Sequence, residues 1–433
     1  MTDILVVALA VLAFSVLAGR LGGTPVTMPM IFTTAGILLG PALLDVVRLD
    51  PRDELVSVLA EATLVVVLFT DASRLDLRTV LREHSMALRL LLVGLPAAVL
   101  IGTGAGWLLL PGLPLVALAV LAATLAPTDA ALGQSFVESP SVPSRIRQTL
   151  NVESGLNDGL AVPFVVILID VALDRTGSLS DYAVLLVQIV GLGFLVGGLS
   201  GWLGGRLLSW AHDRSWTTAA SLRLGVVAVA GAAYSAAEVL GGNGFVAAFV
   251  AGIVVGATAR PVLEHTTTFA RSEGQLLALL TFLLFGVAIV GDILADLEWR
   301  YVVYALASLL VVRMLATALA LLGSGVSAAT VLYVGWAGPR GLASIVYAVL
   351  VVTTAGLPMS EEIFVVAGWT ILLSVYLHGL SAAWVSRRYG ASVEGAPRAP
   401  AYQPPAAAAG ARAPARVSPQ GPDGGLRARW RRA

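Results

Sequence analysis

The sequence predicts an all-α polytopic membrane protein of about thirteen transmembrane helices, two of them interrupted at corresponding places in two halves. Three observations carry this. Of 433 residues, 57% are hydrophobic and only 12% are charged, whereas an ordinary soluble domain is about 25% charged. Mean hydropathy is +0.87, and apolar runs of the roughly 20 residues that a spanning helix needs recur along almost the whole chain. Arginine supplies every basic residue, and its placement alternates from loop to loop.

The predicted spans are 3–20, 26–48, 54–71, 85–110, 113–134, 147–173, 182–209, 221–240, 243–259, 274–296, 300–323, 325–354 and 361–386. The eighth and ninth lie close enough to merge. Met1-Thr2-Asp3 lacks the positive region of a secretory signal, so the first run reads as a retained helix. With an odd number of spans, loops after odd-numbered helices share the side of the C-terminus. That side holds Arg20, Arg74, Arg78, Arg82, Arg89, Arg145, Arg147, Arg206, Arg214, Arg223, Arg260 and Arg271; the other holds Arg48, Arg52, Arg175 and Arg300. The threefold bias predicts a cytoplasmic C-terminus and an external N-terminus, with the chain in the cell (inner) membrane.

Composition excludes several classes. The 27 basic and 27 acidic residues cancel, so no overall field favours nucleic acid, and the absence of cysteine excludes disulfides and thiolate metal sites. No phosphate-binding loop is present, so ATP-driven pumping has no engine. Residues 1–389 form the expected membrane domain, with repeats at about 3–173 and 221–386 and a linker helix at 182–209. From 390 to 433 the chain turns to Pro, Ala, Gly and Arg, which predicts a disordered cytoplasmic tail.

Span five contains Ala126-Pro127-Thr128-Asp129 and span twelve contains Ala337-Gly338-Pro339-Arg340. Proline removes a backbone donor and clashes with the preceding turn, so both helices should unwind there. Paired interruptions of this kind point to an inverted-repeat transporter with its site at the midplane. One break carries an acid and the other a base, which would balance half-helix dipole ends of about half a charge each.

Span six places Glu153 and Asn157 on one helical face and Ser154 and Asp158 on the adjoining one. Oxygen ligands of this sort suit hard cations. A carboxyl in hydrocarbon costs roughly 2.5 kcal/mol or more, so it marks a wet cavity, a partner or a transported ion. Burial favours its protonated form and a nearby cation its ionised form. Where the two balance, proton and cation compete for one site.

These segments resemble the monovalent cation/proton antiporters of the NhaP and eukaryotic NHE type. The likeness rests on Thr128-Asp129, on Glu153-Ser154-Gly155-Leu156-Asn157-Asp158-Gly159, on the stretch from Gly242-Asn243-Gly244 to Gly252, and on Gly335-Trp336-Ala337-Gly338-Pro339-Arg340-Gly341. It implies an inverted-repeat antiporter fold with spans five and twelve unwound and crossed. It also implies cofactor-free secondary exchange of protons for Na+, or for K+ or Li+, by alternating access in a homodimer. Asp158 would alternate between proton and cation, and Asn157 would stabilise the site. Thr128 and Ser154 would add oxygens to Na+, while Asp129 would shape the crossing. The Asn-Asp pair implies electroneutral exchange. Where the family carries a Phe-x-Glu-Gly acid, this chain has Phe69-Thr70-Asp71-Ala72, so Asp71 is the expected substitute on the ion path. A structural ion pair of the family would join Glu153 to Arg313, with Arg340 as the competing partner or as a cap for freed carbonyls.

Glu61, Asp170 and Glu238 are expected to be satisfied by neighbours, and the four-residue spacing of Gly193, Gly197, Gly201 and Gly205 to permit close helix packing. Asp129 and Asp158 would also suit an intramembrane aspartyl protease sharing one proton between two acids. The Gly-x-Gly-Asp signature of such proteases is absent. A passive channel would need no titratable pair beside matched breaks.

Overall fold

The computed structural model describes residues 24–74, 85–129, 131–173, 179–260 and 267–393, together with Leu12 and Val16. The first expected span and the tail beyond Val393 lie outside these residues. Within them, all regular structure is helical. The elements are α1 (Met28–Leu39), α2 (Glu54–Ser73), α3 (Ser85–Leu109), α4 (Leu115–Thr124), α5 (Gln134–Val137), α6 (Ser144–Ala172) and α7 (Leu179–Asp213). After them come α8 (Ala219–Val239), α9 (Gly244–Thr258) and α10, which runs Thr267–Leu284 and continues through a π-turn into Val290–Ala295. The last four are α11 (Trp299–Ala320), α12 (Ala328–Trp336), α13 (Leu342–Thr353) and α14 (Ser360–Val393).

The boundaries follow from local chemistry. The second expected span is cut to twelve residues because Pro41 disfavours a helical Gly40, which is extended at φ −78° and ψ −178°. Spans eight and nine stay separate. Gly241 turns the chain at φ 77°, and the Asn243 side chain caps α9 by accepting from Val246 N at 3.0 Å. The last helix runs past its expected end at 386. Tyr389 holds it there, stacked on Tyr333 with ring centroids 4.2 Å apart and hydrogen-bonded to Thr330 at 3.0 Å.

Glycines set the closest helix contacts. A Cβ at Gly193, Gly197, Gly201 or Gly205 of α7 would strike α9 or its cap at Val246, Ala247, Ala251 and Thr258 respectively. On its other side α9 meets α2, where a Cβ at Gly252 would strike the Phe69 carbonyl and one at Gly256 the Ser73 carbonyl. Two of the acids outside the crossing have partners: Glu61 accepts from Tyr234 Oη at 3.1 Å and Glu238 from Gly244 N at 2.7 Å. α7 and α8 turn apolar side chains such as Phe194, Leu199, Leu203 and Leu224 outward, as lipid-facing helices do.

Three contacts join loops that the arginine count assigns to the same side. On the arginine-rich face, Arg89 donates to the Leu322 carbonyl at 2.8 Å and Ser141 Oγ to the Ser386 carbonyl at 3.2 Å. On the opposite face, Arg52 pairs with Glu361.

Overpacking a tight contact costs about 1–3 kcal/mol. Gly252→Val is therefore expected to lower the melting temperature of the detergent-purified protein markedly. Gly104 has nothing within reach of an added Cβ, and Gly104→Ala is expected to leave that temperature unchanged or raise it.

Candidate functional site

The two breaks lie against each other. Between α4 and α5 the described residues 125–129 and 131–133 are non-helical, and between α12 and α13 the chain is non-helical from Ala337 to Gly341. Asp129 N donates to the Pro339 carbonyl at 2.8 Å. Each break then caps the helix of the other. Asp129 Oδ2 accepts from Leu342 N at the start of α13, where the helix dipole is positive, and Oδ1 accepts from Leu132 N at 2.7 Å. Arg340 donates from one guanidinium nitrogen to the Ala126 and Pro127 carbonyls, at 3.1 Å each, where α4 ends in unpaired acceptors. The glycines of the second break admit these neighbours. A Cβ at Gly341 would overlap the Asp129 carboxylate, and one at Gly338 the Arg313 guanidinium.

Arg313 reaches this region from α11. A π-turn at Ser308–Val312 re-phases the helix immediately before it. Leu310, Val311 and Leu315 stay exposed on the outer face while Arg313 is 3% exposed. Its Nη2 donates to Glu153 Oε1 at 2.6 Å. Among the described residues Arg340 makes no hydrogen bond to Glu153, and it uses its guanidinium on the broken helix instead.

Beside the crossing, α6 brings together four oxygen-bearing side chains. Asn157 Nδ2 donates to Thr128 Oγ1 at 2.6 Å, and Thr128 Oγ1 lies 3.3 Å from Ser154 Oγ. Asp158 is 7% exposed, and its Oδ1 and Asn157 Oδ1 have no hydrogen-bond partner. Because Arg340 holds the Ala126 and Pro127 carbonyls, Thr128 is the residue of the first break left to face this cluster. An orphaned carboxylate oxygen amid hydroxyl and amide oxygens is a donor set that a small hard cation fits.

A cavity of about 750 Å³ leads to Asp158 from the arginine-rich face. Its wall on α6 comprises Ser144, Arg147, Gln148, Asn151 and Asp158 and stops there. The next residue, Gly159, is covered by the Phe249 ring of α9. Asp71 lines the same cavity from α2, beside Gly155, with Arg74 at 3.8 Å. Of the expected residues, Asp71, Asp129 and Asp158 line this cavity, whereas Thr128, Ser154 and Asn157 form a hydrogen-bonded group that does not line it. Sequence reasoning missed Tyr347, whose hydroxyl donates to the Asp158 carbonyl at 2.8 Å, and the bond from Arg340 N to Ser374 Oγ at 2.7 Å. A tyrosine and a serine inside apolar helices were the only signals for them.

Residues 4–388 match the family model described as sodium/hydrogen exchanger, transmembrane. The chain is 27% identical over 378 residues to the K(+)/H(+) antiporter NhaP of Alkalimonas amylolytica, covering 84% of this chain and 62% of that protein. It is 28% identical over 273 residues to the K(+)/H(+) antiporter NhaP2 of Shewanella sp. (strain ANA-3), covering 62% of this chain and 46% of that protein. It therefore spans about half to two thirds of the length of these relatives. The structure of the sodium proton antiporter MjNhaP1 from Methanocaldococcus jannaschii aligns with a TM-score of 0.72 at 21% identity, over 90% of this chain and all of that one. This likeness establishes the fold.

Removing one partner of a buried ion pair costs about 3–5 kcal/mol, because the other charge is left unpaired. Arg313→Ala is accordingly expected to lower membrane abundance and melting temperature sharply. Normal abundance with an unchanged melting temperature would contradict a structural role for the pair.

Proposed function

The chain belongs to the sodium/hydrogen exchanger family, and we propose that it is a secondary antiporter exchanging protons for a monovalent cation, with both competing for Asp158. The observation that carries this reading is the unpartnered, buried carboxylate oxygen of Asp158 at the floor of a cavity open to one face.

Charge bookkeeping supports the exchange ratio. Around the crossing Glu153 is matched by Arg313, and Asp129 and Arg340 offset opposite helix ends. Asp158 is left as one negative charge, which one proton or one monovalent cation neutralises. Exchange is then electroneutral, as the resemblance implies, and no cofactor enters because the ion gradients supply the energy. Asp158 binds the guest, Thr128 and Ser154 add oxygens, and Asn157 orients the Thr128 hydroxyl. Asp129 keeps the crossing in shape, and Asp71 lies on the route with Arg74 moderating its charge.

With the guest bound, the site loses its net charge and can pass through the apolar contact of Phe249 on Gly159 to the other face. An unoccupied carboxylate cannot do so cheaply, and this coupling prevents leak. Na+ is the first reading for the cation; K+ is the second, favoured by the names of the two curated relatives. The arginine bias supports a cytoplasmic C-terminus in the cell membrane, so the cavity faces the cytoplasm. The resemblance supports a homodimer within the lipid.

The test is exchange in vesicles. With a pH gradient imposed, addition of Na+, K+ or Li+ to the wild-type protein is expected to collapse the gradient without a membrane potential. Asp158→Asn is expected to abolish this and Asp158→Glu to leave partial activity. Full exchange in the Asn variant would remove Asp158 from its role.

A further inference from the structure

One helix carries a contact to each side of the ion site. α13 begins at Leu342, whose N donates to the Asp129 carboxylate, beside Thr128. Further along the same helix, the Tyr347 hydroxyl donates to the Asp158 carbonyl of α6 at 2.8 Å. Tyr347 is 1% exposed. The turn it holds is the one that α6 secures least. Pro163 lies inside that helix and has no N–H to give the Gly159 carbonyl one turn back. Gly159 itself offers no side chain, only the surface on which the Phe249 ring rests. Just past Asp158 the helix is thus short of one ladder bond, and a tyrosine from a neighbouring helix brings in another. A carbonyl oxygen has two lone pairs, so this bond adds to the ladder of α6 without displacing any part of it.

We propose that Tyr347 is a positioning residue for transport: with α13 as the strut, its hydroxyl fixes Asp158 of α6 relative to Thr128 of the first break. The Asn157 side chain also joins these two elements, but it does so at the rotatable Thr128 hydroxyl, Nδ2 to Oγ1 at 2.6 Å. The tyrosine acts on the backbone that carries the carboxylate. Cation and proton differ in how much this matters. A hard cation takes several oxygens at once in a set geometry, and here Asp158 and Ser154 come from α6 while Thr128 comes from the break. A proton needs a single carboxylate oxygen. Slack between α6 and the break therefore weakens cation binding and leaves proton binding as it was. The inference rests on the reading that proton and cation compete for Asp158, with Thr128 as a further ligand.

The experiment uses Tyr347→Phe, which keeps the ring and removes the hydroxyl. Its matched control is Tyr304→Phe: Tyr304 is also 1% exposed, and its hydroxyl donates to the Gly102 carbonyl at 3.3 Å, between α11 and α3. Proteoliposome exchange gives the apparent KM for Na+ and for K+ as a function of pH. Where two guests compete for one site, KM is level at alkaline pH and climbs once protons occupy the carboxylate. The level reports cation affinity, and the pH of the climb reports proton affinity. Loss of one hydrogen bond predicts a level about threefold to tenfold higher in Tyr347→Phe, with the climb at the wild-type pH. Tyr304→Phe is expected to match wild type in both. A wild-type level in Tyr347→Phe, a climb displaced along with the level, or an equal rise in Tyr304→Phe would overturn the proposal. Failure of Tyr347→Phe alone to accumulate would make the bond a requirement of folding and overturn it as well. Asp158→Asn is run alongside. Exchange persisting there would refute the antiport reading itself, whereas its loss together with a wild-type KM in Tyr347→Phe would refute only the role of the tyrosine.

Discussion

Hydrocarbon tolerates neither an unpaired charge nor an unpaired peptide group, and the crossing of two unwound segments answers both demands with the same residues. The acid of the first break caps the helix that follows the second, and the base of the second break caps the helix that precedes the first. This swap ties the halves of the chain together at their weakest points. It also explains the motif of the second break, where Gly338 makes room for Arg313 and Gly341 for Asp129. Once those groups are satisfied, the carboxylate of Asp158 is left with an oxygen that has no partner. Function follows from that remainder.

Access to Asp158 is one-sided. The cavity wall on α6 ends at it, and the next residue, Gly159, lies under the Phe249 ring of α9, which itself packs on α2 and α7 through glycine contacts. Such contacts are close but smooth, with few polar groups to strip of partners when helices slide. The polar clamps lie elsewhere, within the crossing and along α14. A body held rigid by ion pairs and caps, moving against neighbours held by glycine contacts, is an arrangement suited to opening the site to each face in turn.

Much of this was legible in the sequence because it is written in short segments. The breaks follow from Pro127 and Pro339, the oxygen cluster from the spacing of Ser154, Asn157 and Asp158, and the α7 seam from glycines four apart. Between Arg313 and Arg340 the sequence favoured the first as partner of Glu153, and the geometry makes that pair at 2.6 Å. Two of the contacts that escaped join residues more than a hundred positions apart. The swap of caps joins Asp129 to Leu342, and Tyr347 meets Asp158 only because α13 lies beside α6. The short α1 and the long α14 were missed for local reasons, a proline after Gly40 and the packing of Tyr389.

Competition between two guests for one carboxylate has a direct signature, because a cation that displaces a proton must release it. Purified protein in a weakly buffered solution, scanned across pH, is mixed with saturating Na+ or K+ against a choline control, and released protons are counted. The account predicts a release that rises to about one proton per chain on the acid side of the working range and disappears when Asp158 is replaced by Asn. Cation binding without proton release at any pH, or unchanged release from the Asn variant, would contradict it.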